Sequence, residues 1–143
     1  MSAPLFGFTF PNPQAFVLAW LAPLGACGSR RNPDDPLPFR MVTTITGEAC
    51  EYYADPVVSV HTFGDASVTQ ADTYANREAD ITHRRMMLLA ADPTQTVTVN
   101  SVPYNCSHVL VKELPIKVDY RDTTVIRYVA RYELGFSPVP VTS

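Results

Sequence analysis

The sequence predicts a single α+β domain in which a largely antiparallel or mixed β-sheet packs against two helices. Three observations predict it. Two stretches carry apolar residues at helical spacing, Pro13 to Leu24 and Asp65 to Ala91. At least four others alternate or are rich in β-branched and aromatic residues, and Thr123 to Phe136 is the clearest. The order is helix, hairpin, helix, then strands, which suits helices gathered on one sheet and not a parallel βαβ array. At 143 residues the chain is the size of one domain, 1–143, with no internal repeat.

Met1 to Asn12 carries Pro4, Gly7 and Pro11, with Phe6, Phe8 and Phe10 in strict alternation. That period belongs to an extended arm able to add to a sheet edge of its own or a neighbouring subunit, or to tuck onto its own domain. Asn12 is an N-cap and Pro13 a first helical residue that tolerates a missing N–H. A helix to about Leu24 then places Phe16, Val17, Trp20, Leu21 and Leu24 on one buried stripe, with Trp20 in the core.

Gly25 to Pro38 (GACGSRRNPDDPLP) can be neither helix nor strand for long. It is an exposed loop, and Arg30, Arg31, Asp34 and Asp35 give it charges of both signs for docking. Phe39 to Thr46 (FRMVTTIT) and Val57 to Phe63 (VVSVHTF) form a β-hairpin joined by a long, turn-prone tip from Gly47 to Pro56. His61 shares a face with Val57, Ser59 and Phe63 and reads as a hydrogen-bonded structural residue.

Asp65 or Ser67 caps a long helix that Asp92-Pro93 stops. Ala71, Ala75, Ala79, Met86 and Leu89 form one row and Tyr74, Ile81 and Leu88 an adjoining one, so a broad stripe faces the sheet. His83, Arg84 and Arg85 stand near the C-terminal half of this helix, which runs to about Ala91, where positive charge favours the helix dipole. Thr96 to Val99 and Val109 to Leu114 are short strands. In the last strand Ile126, Tyr128, Ala130, Tyr132, Leu134 and Phe136 face the core. Its other face carries Arg127, Arg131 and Glu133, exposed to water or paired across a subunit interface. The tail, 137–143, holds Pro138 and Pro140 and leaves the sheet.

Composition narrows the function classes. Lys plus Arg number 11 against 14 Asp plus Glu, a net charge of −3, which is not the basic footprint of a nucleic-acid or anionic-membrane binder. Charged residues are only 17% of the chain, and a low-charge surface suits burial against partners. Three widely spaced cysteines, Cys27, Cys50 and Cys106, fit a reducing compartment better than a disulfide framework. Leu24-Gly25-Ala26-Cys27 resembles a lipoprotein cleavage box, but no Lys or Arg precedes the apolar run, Pro23 interrupts it, and Arg30-Arg31 follow it. The run is also too short to span a bilayer.

Catalytic and metal constellations are missing from the sequence. Cys106-x-His108 is the one close Cys/His pair, without metal-ligand spacing, and it supports at most a small thiol enzyme. There is no phosphate-cradling glycine loop and no G-x-S-x-G elbow. Carboxylates such as Asp34-Asp35 lie in a solvated loop. The reading is therefore assembly without catalysis and without a cofactor.

Five stretches taken in order carry a family resemblance: VLAWLAPLG (17–25), LPFRMVTTITG (37–47), VVSVHTFG (57–64), ADITHRRMMLL (79–89) and IRYVARYEL (126–134). Together they resemble the tail terminator proteins of long-tailed, siphovirus-type bacteriophages infecting actinobacteria. The resemblance implies a virion structural protein that forms a homohexameric ring at the tail-neck junction, assembled in the host cytoplasm. It implies that the ring caps the tail tube, ends tail polymerisation and joins the head-tail connector. Implied partners are the chain itself, the major tail tube protein and the connector or head-closure protein, with genomic DNA only passing through the lumen and no membrane. A head-closure or adaptor neck protein shares these demands. The candidate interface residues are Phe6, Phe8, Phe10, Arg30, Arg31, Arg127, Arg131 and Glu133. The cysteines and the Phe-rich arm have no counterpart in the family pattern.

Overall fold

A computed structural model describes residues 3–141; Met1 and Ser2 of the arm and Thr142 and Ser143 of the tail lie outside the described residues. The strands are β1 (Phe8–Thr9), β2 (Cys27–Gly28), β3 (Phe39–Ala49), β4 (Ala54–Asp65), β5 (Thr96–Val99), β6 (Val102–Val118), β7 (Val125–Phe136) and β8 (Val139–Pro140). The helices are α1 (Pro13–Leu21), followed by a 3-10 turn over Ala22–Leu24, and α2 (Ala71–Ala91). Strands β2 to β7 form one sheet in the order β2-β3-β4-β7-β6-β5, antiparallel throughout except for the parallel β2–β3 pair. The expected α+β domain is the observed one.

Both helices lie on one face of this sheet, because one face of β3, β4 and β7 is predominantly apolar, interrupted only where Arg40 and Thr62 bond to α2. Val42, Val58, Val60, Ala130, Tyr132, Leu134 and Phe136 meet Phe16, Val17, Trp20 and Leu21 of α1 and Met86 and Leu89 of α2. Phe16 sets its edge against Phe136 with ring centroids 4.8 Å apart. The other face of the sheet is uncovered except at one end. There Phe39, Phe63 and Val125 form a small second core under Leu37, Met41 and Tyr120.

Helix α1 starts as the sequence requires, with Asn12 Oδ1 accepting from Ala15 N at 3.0 Å. It ends three residues early, at Leu21, because Pro23 cannot donate and the chain tightens into the 3-10 turn before Gly25 at φ 132°. Helix α2 also starts late. Asp65 Oδ1 accepts from the N–H and hydroxyl of Ser67, at 2.8 and 2.6 Å, so neither caps the helix; Gln70, left-handed at φ 55°, stands at its start.

The buried row of α2 is Ala75, Ala79, Thr82, Met86 and Leu89, narrower than the predicted stripe: Tyr74 and Ile81 are half-buried and Leu88 is exposed. The early alanines do bring the helix close. A Cβ on Gly64 of β4 would sit 2.8 Å from Ala75 Cβ.

The strands run longer than their composition suggests. The predicted hairpin tip from Gly47 to Pro56 is mostly paired, and the turn occupies only 50–53. Gly47 lies opposite Pro56, and a Cβ there would approach Pro56 Cα to 2.6 Å, so glycine is what lets the proline into the ladder. Strand β6 extends to Val118 through Pro115, which falls in a register shift between Glu113 and Ile116 and needs no ladder partner. The tail leaves the main sheet as expected but makes its own ladder. Phe8 pairs with Pro140 and Thr9 with Val139, so the arm is held by the same chain's tail.

Candidate interaction surface

The register across β3, β4, β7 and β6 places Arg131 beside Ser59 and Glu113, and His61 beside Met41 and Val129. These side chains point away from the helices. With Thr43, Ile45, Ile116, Val118 and Arg127 they line a shallow trough of about 370 Å³ in the uncovered face. Nδ1 of His61 and Nε of both Arg127 and Arg131 are shielded from solvent yet have no hydrogen-bond partner among the described residues. Arg131 Nε lies 3.5 Å from Glu113 Oε2, close enough for attraction but not aligned as a hydrogen bond. Arg127 donates through its terminal nitrogen to Asp119 O at 3.0 Å, and its guanidinium is 5.1 Å from the Tyr120 ring.

His61 behaves as the pattern predicted. Its Nε2 is 3.2 Å from Ser59 Oγ and its ring stacks on Phe63 at 6.3 Å. Burial first, then the charges of Arg127 and Arg131, push its pKa down to about 4, so it is neutral near pH 7. Arg31 reaches the same face from the loop, its guanidinium 5.5 Å from the centre of Phe63. Arg30 beside it is simply exposed. Glu133 is already engaged within the chain, with Lys112 Nζ at 3.7 Å and His108 Nε2 at 3.4 Å.

Of the candidate residues, the fold thus brings Arg31, Arg127, Arg131 and Glu133 to one face and sets the arm apart. Phe6 and Phe8 are exposed with rings 5.6 Å apart, whereas Phe10 packs against the main core. The basic run on α2 has a different role from the predicted dipole pairing. The helix continues to Ala91, so no basic residue falls in its last turn. His83 Nδ1 instead lies 2.7 Å from Tyr132 Oη, and Arg85 packs on Trp20.

The sheet edges differ in character. β2 covers β3 only at Arg40 and Met41. Arg40 N donates outward to Ala26 O at 3.1 Å, so strand alternation also turns the main-chain groups of Val42 and Thr44 outward, beyond the end of β2. Thr43 to Gly47 holds neither charge nor proline. The opposite edge, β6 beyond β5, carries both lysines of the chain, Lys112 and Lys117, together with Pro115 and three register shifts, the usual guards against edge pairing.

Cys106 is buried, donates to the main-chain carbonyl of His108 at 3.0 Å, and has its thiol pKa pushed up by burial. The imidazole of His108 turns instead toward Glu133 and Asp55. Among the described residues no three His, Cys, Asp or Glu side chains converge as metal ligands, and no helix is long and apolar enough to cross a membrane. No known protein-family model matches the chain, and no curated protein matches it. The trough and the unguarded edge of β3 are the open surfaces that the sheet presents.

Proposed function

We propose that this chain is a phage tail terminator: a virion structural protein whose copies close into a hexameric ring, cap the tail tube and present a surface to the head-tail connector. The observation that carries the reading is a sheet covered on one face only, with one edge guarded and the other bare. A ring repeats one heterologous contact around an axis and so needs two different, unsatisfied surfaces on each subunit. The bare edge of β3 and the uncovered trough meet that need.

The family resemblance adds to this. Its stretches coincide with α1, β3, β4, the second half of α2 and β7, the elements that build the core and the trough. A net charge of −3 also suits a subunit past which DNA moves without being gripped. Electron microscopy of the purified chain, alone and mixed with tail tube protein, tests the reading. Six-fold rings that bind tube ends and stop their growth are expected; persistent monomers, or rings indifferent to tube ends, would overturn it.

A further inference from the structure

The uncovered face holds Arg131, whose side chain is 43% exposed and, among the described residues, makes no hydrogen bond. The same chain holds an acidic hairpin end where Glu48 and Glu51 have no cationic partner among the described residues. Between Arg40 and Arg77 there is no Lys or Arg, while Glu48, Glu51 and Asp55 cluster around the β3–β4 turn. Glu48 and Glu51 are exposed, as are the two tyrosines between the strands, Tyr52 at 76% and Tyr53 at 44%. Exposed tyrosines are enriched at interfaces, and the carboxylates beside them give this end a charge complementary to a basic surface. The trough has the converse chemistry: guanidinium edges over a floor of Val129, Ile116 and Ile45, with Glu113 offsetting one of its two positive charges.

We propose that the β3–β4 hairpin end of one copy docks into the Arg127–Arg131 trough of the next, its carboxylates pairing with the exposed guanidinium edge, Arg131 first, and a tyrosine covering the apolar floor. The contact is heterologous, since tip and trough are different surfaces of one chain, and it therefore propagates around a ring instead of closing a two-fold dimer. Carboxylate–guanidinium pairing supplies direction and register, because each Arg presents a planar fork of donors. The proposal rests on the ring reading and narrows its bare-edge surface to the hairpin end in which β3 finishes.

The test is charge reversal and restoration in the full chain, followed by sedimentation velocity and electron microscopy. Arg127→Glu/Arg131→Glu and, separately, Glu48→Lys/Glu51→Lys should each weaken assembly by about tenfold or more. Combining all four changes in one chain should restore it. Glu48 and Glu51 are exposed hairpin positions, so the lysine pair reports on the contact even where reversing the half-buried arginines unfolds the domain, as circular dichroism would reveal. Wild-type rings that persist with the lysine pair, or a folded four-fold variant that fails to regain assembly, overturn this interface and leave the ring reading standing. A wild-type chain that stays monomeric overturns both. Rings that need this contact but ignore tube ends overturn the tail role alone.

Discussion

Trp20 and Arg85 clasp each other across the α1–α2 junction. The indole Nε1 donates to Arg85 O at 2.8 Å, Arg85 Nε donates to Trp20 O at 2.9 Å, and the guanidinium carbon lies 3.7 Å from the centre of the Trp20 ring. Each residue thus satisfies a main-chain carbonyl of the other's helix, while the cation covers the ring face. Removing Arg85 frees one carbonyl and uncovers an aromatic face. Arg85→Ala should therefore cost about 2 kcal/mol, and Arg85→Lys, which loses the planar stack, more than half of that. Urea denaturation gives both values; an Arg85→Lys variant as stable as wild type would show that charge alone matters here.

Arg40 is a charged side chain only 1% exposed, held by Glu78 Oε2 at 2.8 Å and by Thr82 Oγ1 at 2.7 Å, with Thr62 Oγ1 3.0 Å from Thr82 Oγ1. Breaking such a pair leaves an uncompensated acid beneath α2. Arg40→Ala should destabilise the domain by about 3–5 kcal/mol. Arg40→Met with Glu78→Gln should recover much of the loss, since neither charge then needs a partner. A double variant as unstable as the single one would assign the role to packing.

Gly64 and Ala75 set the distance between β4 and α2. Gly64→Ala forces two Cβ atoms to within 2.8 Å unless the helix shifts, and overpacking of this kind costs about 2 kcal/mol. Adding Ala75→Gly should relieve part of it. Thermal unfolding of the two variants decides the point, and an unchanged midpoint in Gly64→Ala would mean that the helix is free to move outward.

His61 makes the fold sensitive to acid. The folded chain keeps it neutral down to about pH 4, whereas the unfolded chain protonates it near its ordinary value of 6.5. The unfolded state therefore binds the extra proton between these values, and stability falls as pH drops through that window, by about 2 kcal/mol for this half-exposed group. Burial and the charges of Arg127 and Arg131 oppose protonation, and Glu113, the carboxylate lining the same trough, is turned to Arg131. Stability measured against pH should be flatter from 6.5 to 4 in His61→Gln. An equal slope in both proteins would place the sensitivity elsewhere.

Local chemistry alone settled a large part of this architecture. The alternation in β7 named its core face, and with it the polar face on which Arg127 and Arg131 stand. Asn12 and Pro13 fixed the start of α1, and the β-branched runs located β3, β4 and β5, because side-chain period and capping act within a few residues. What the sequence left open depends on groups distant along the chain. Pro115 and Lys112 disguise β6, yet a strand with one free edge tolerates both. Arg40 reads as an ordinary strand residue until Glu78 and Thr82, on the helix above, explain its burial. Asp65 looks like a helix cap until it meets Ser67, and Arg31 looks like a solvated charge until the loop lays it over Phe63. The arm's period announced a strand but not its partner, since strand pairing is satisfied by any free edge within reach, and folding brought Val139 and Pro140 to it. The sequence by itself determined which face of each element is apolar, a property of short-range periodicity. Only the tertiary structure decided which polar groups find partners within the chain, as Glu133 does, and which, like Nε of Arg127 and Arg131, are shielded without a hydrogen-bond partner among the described residues.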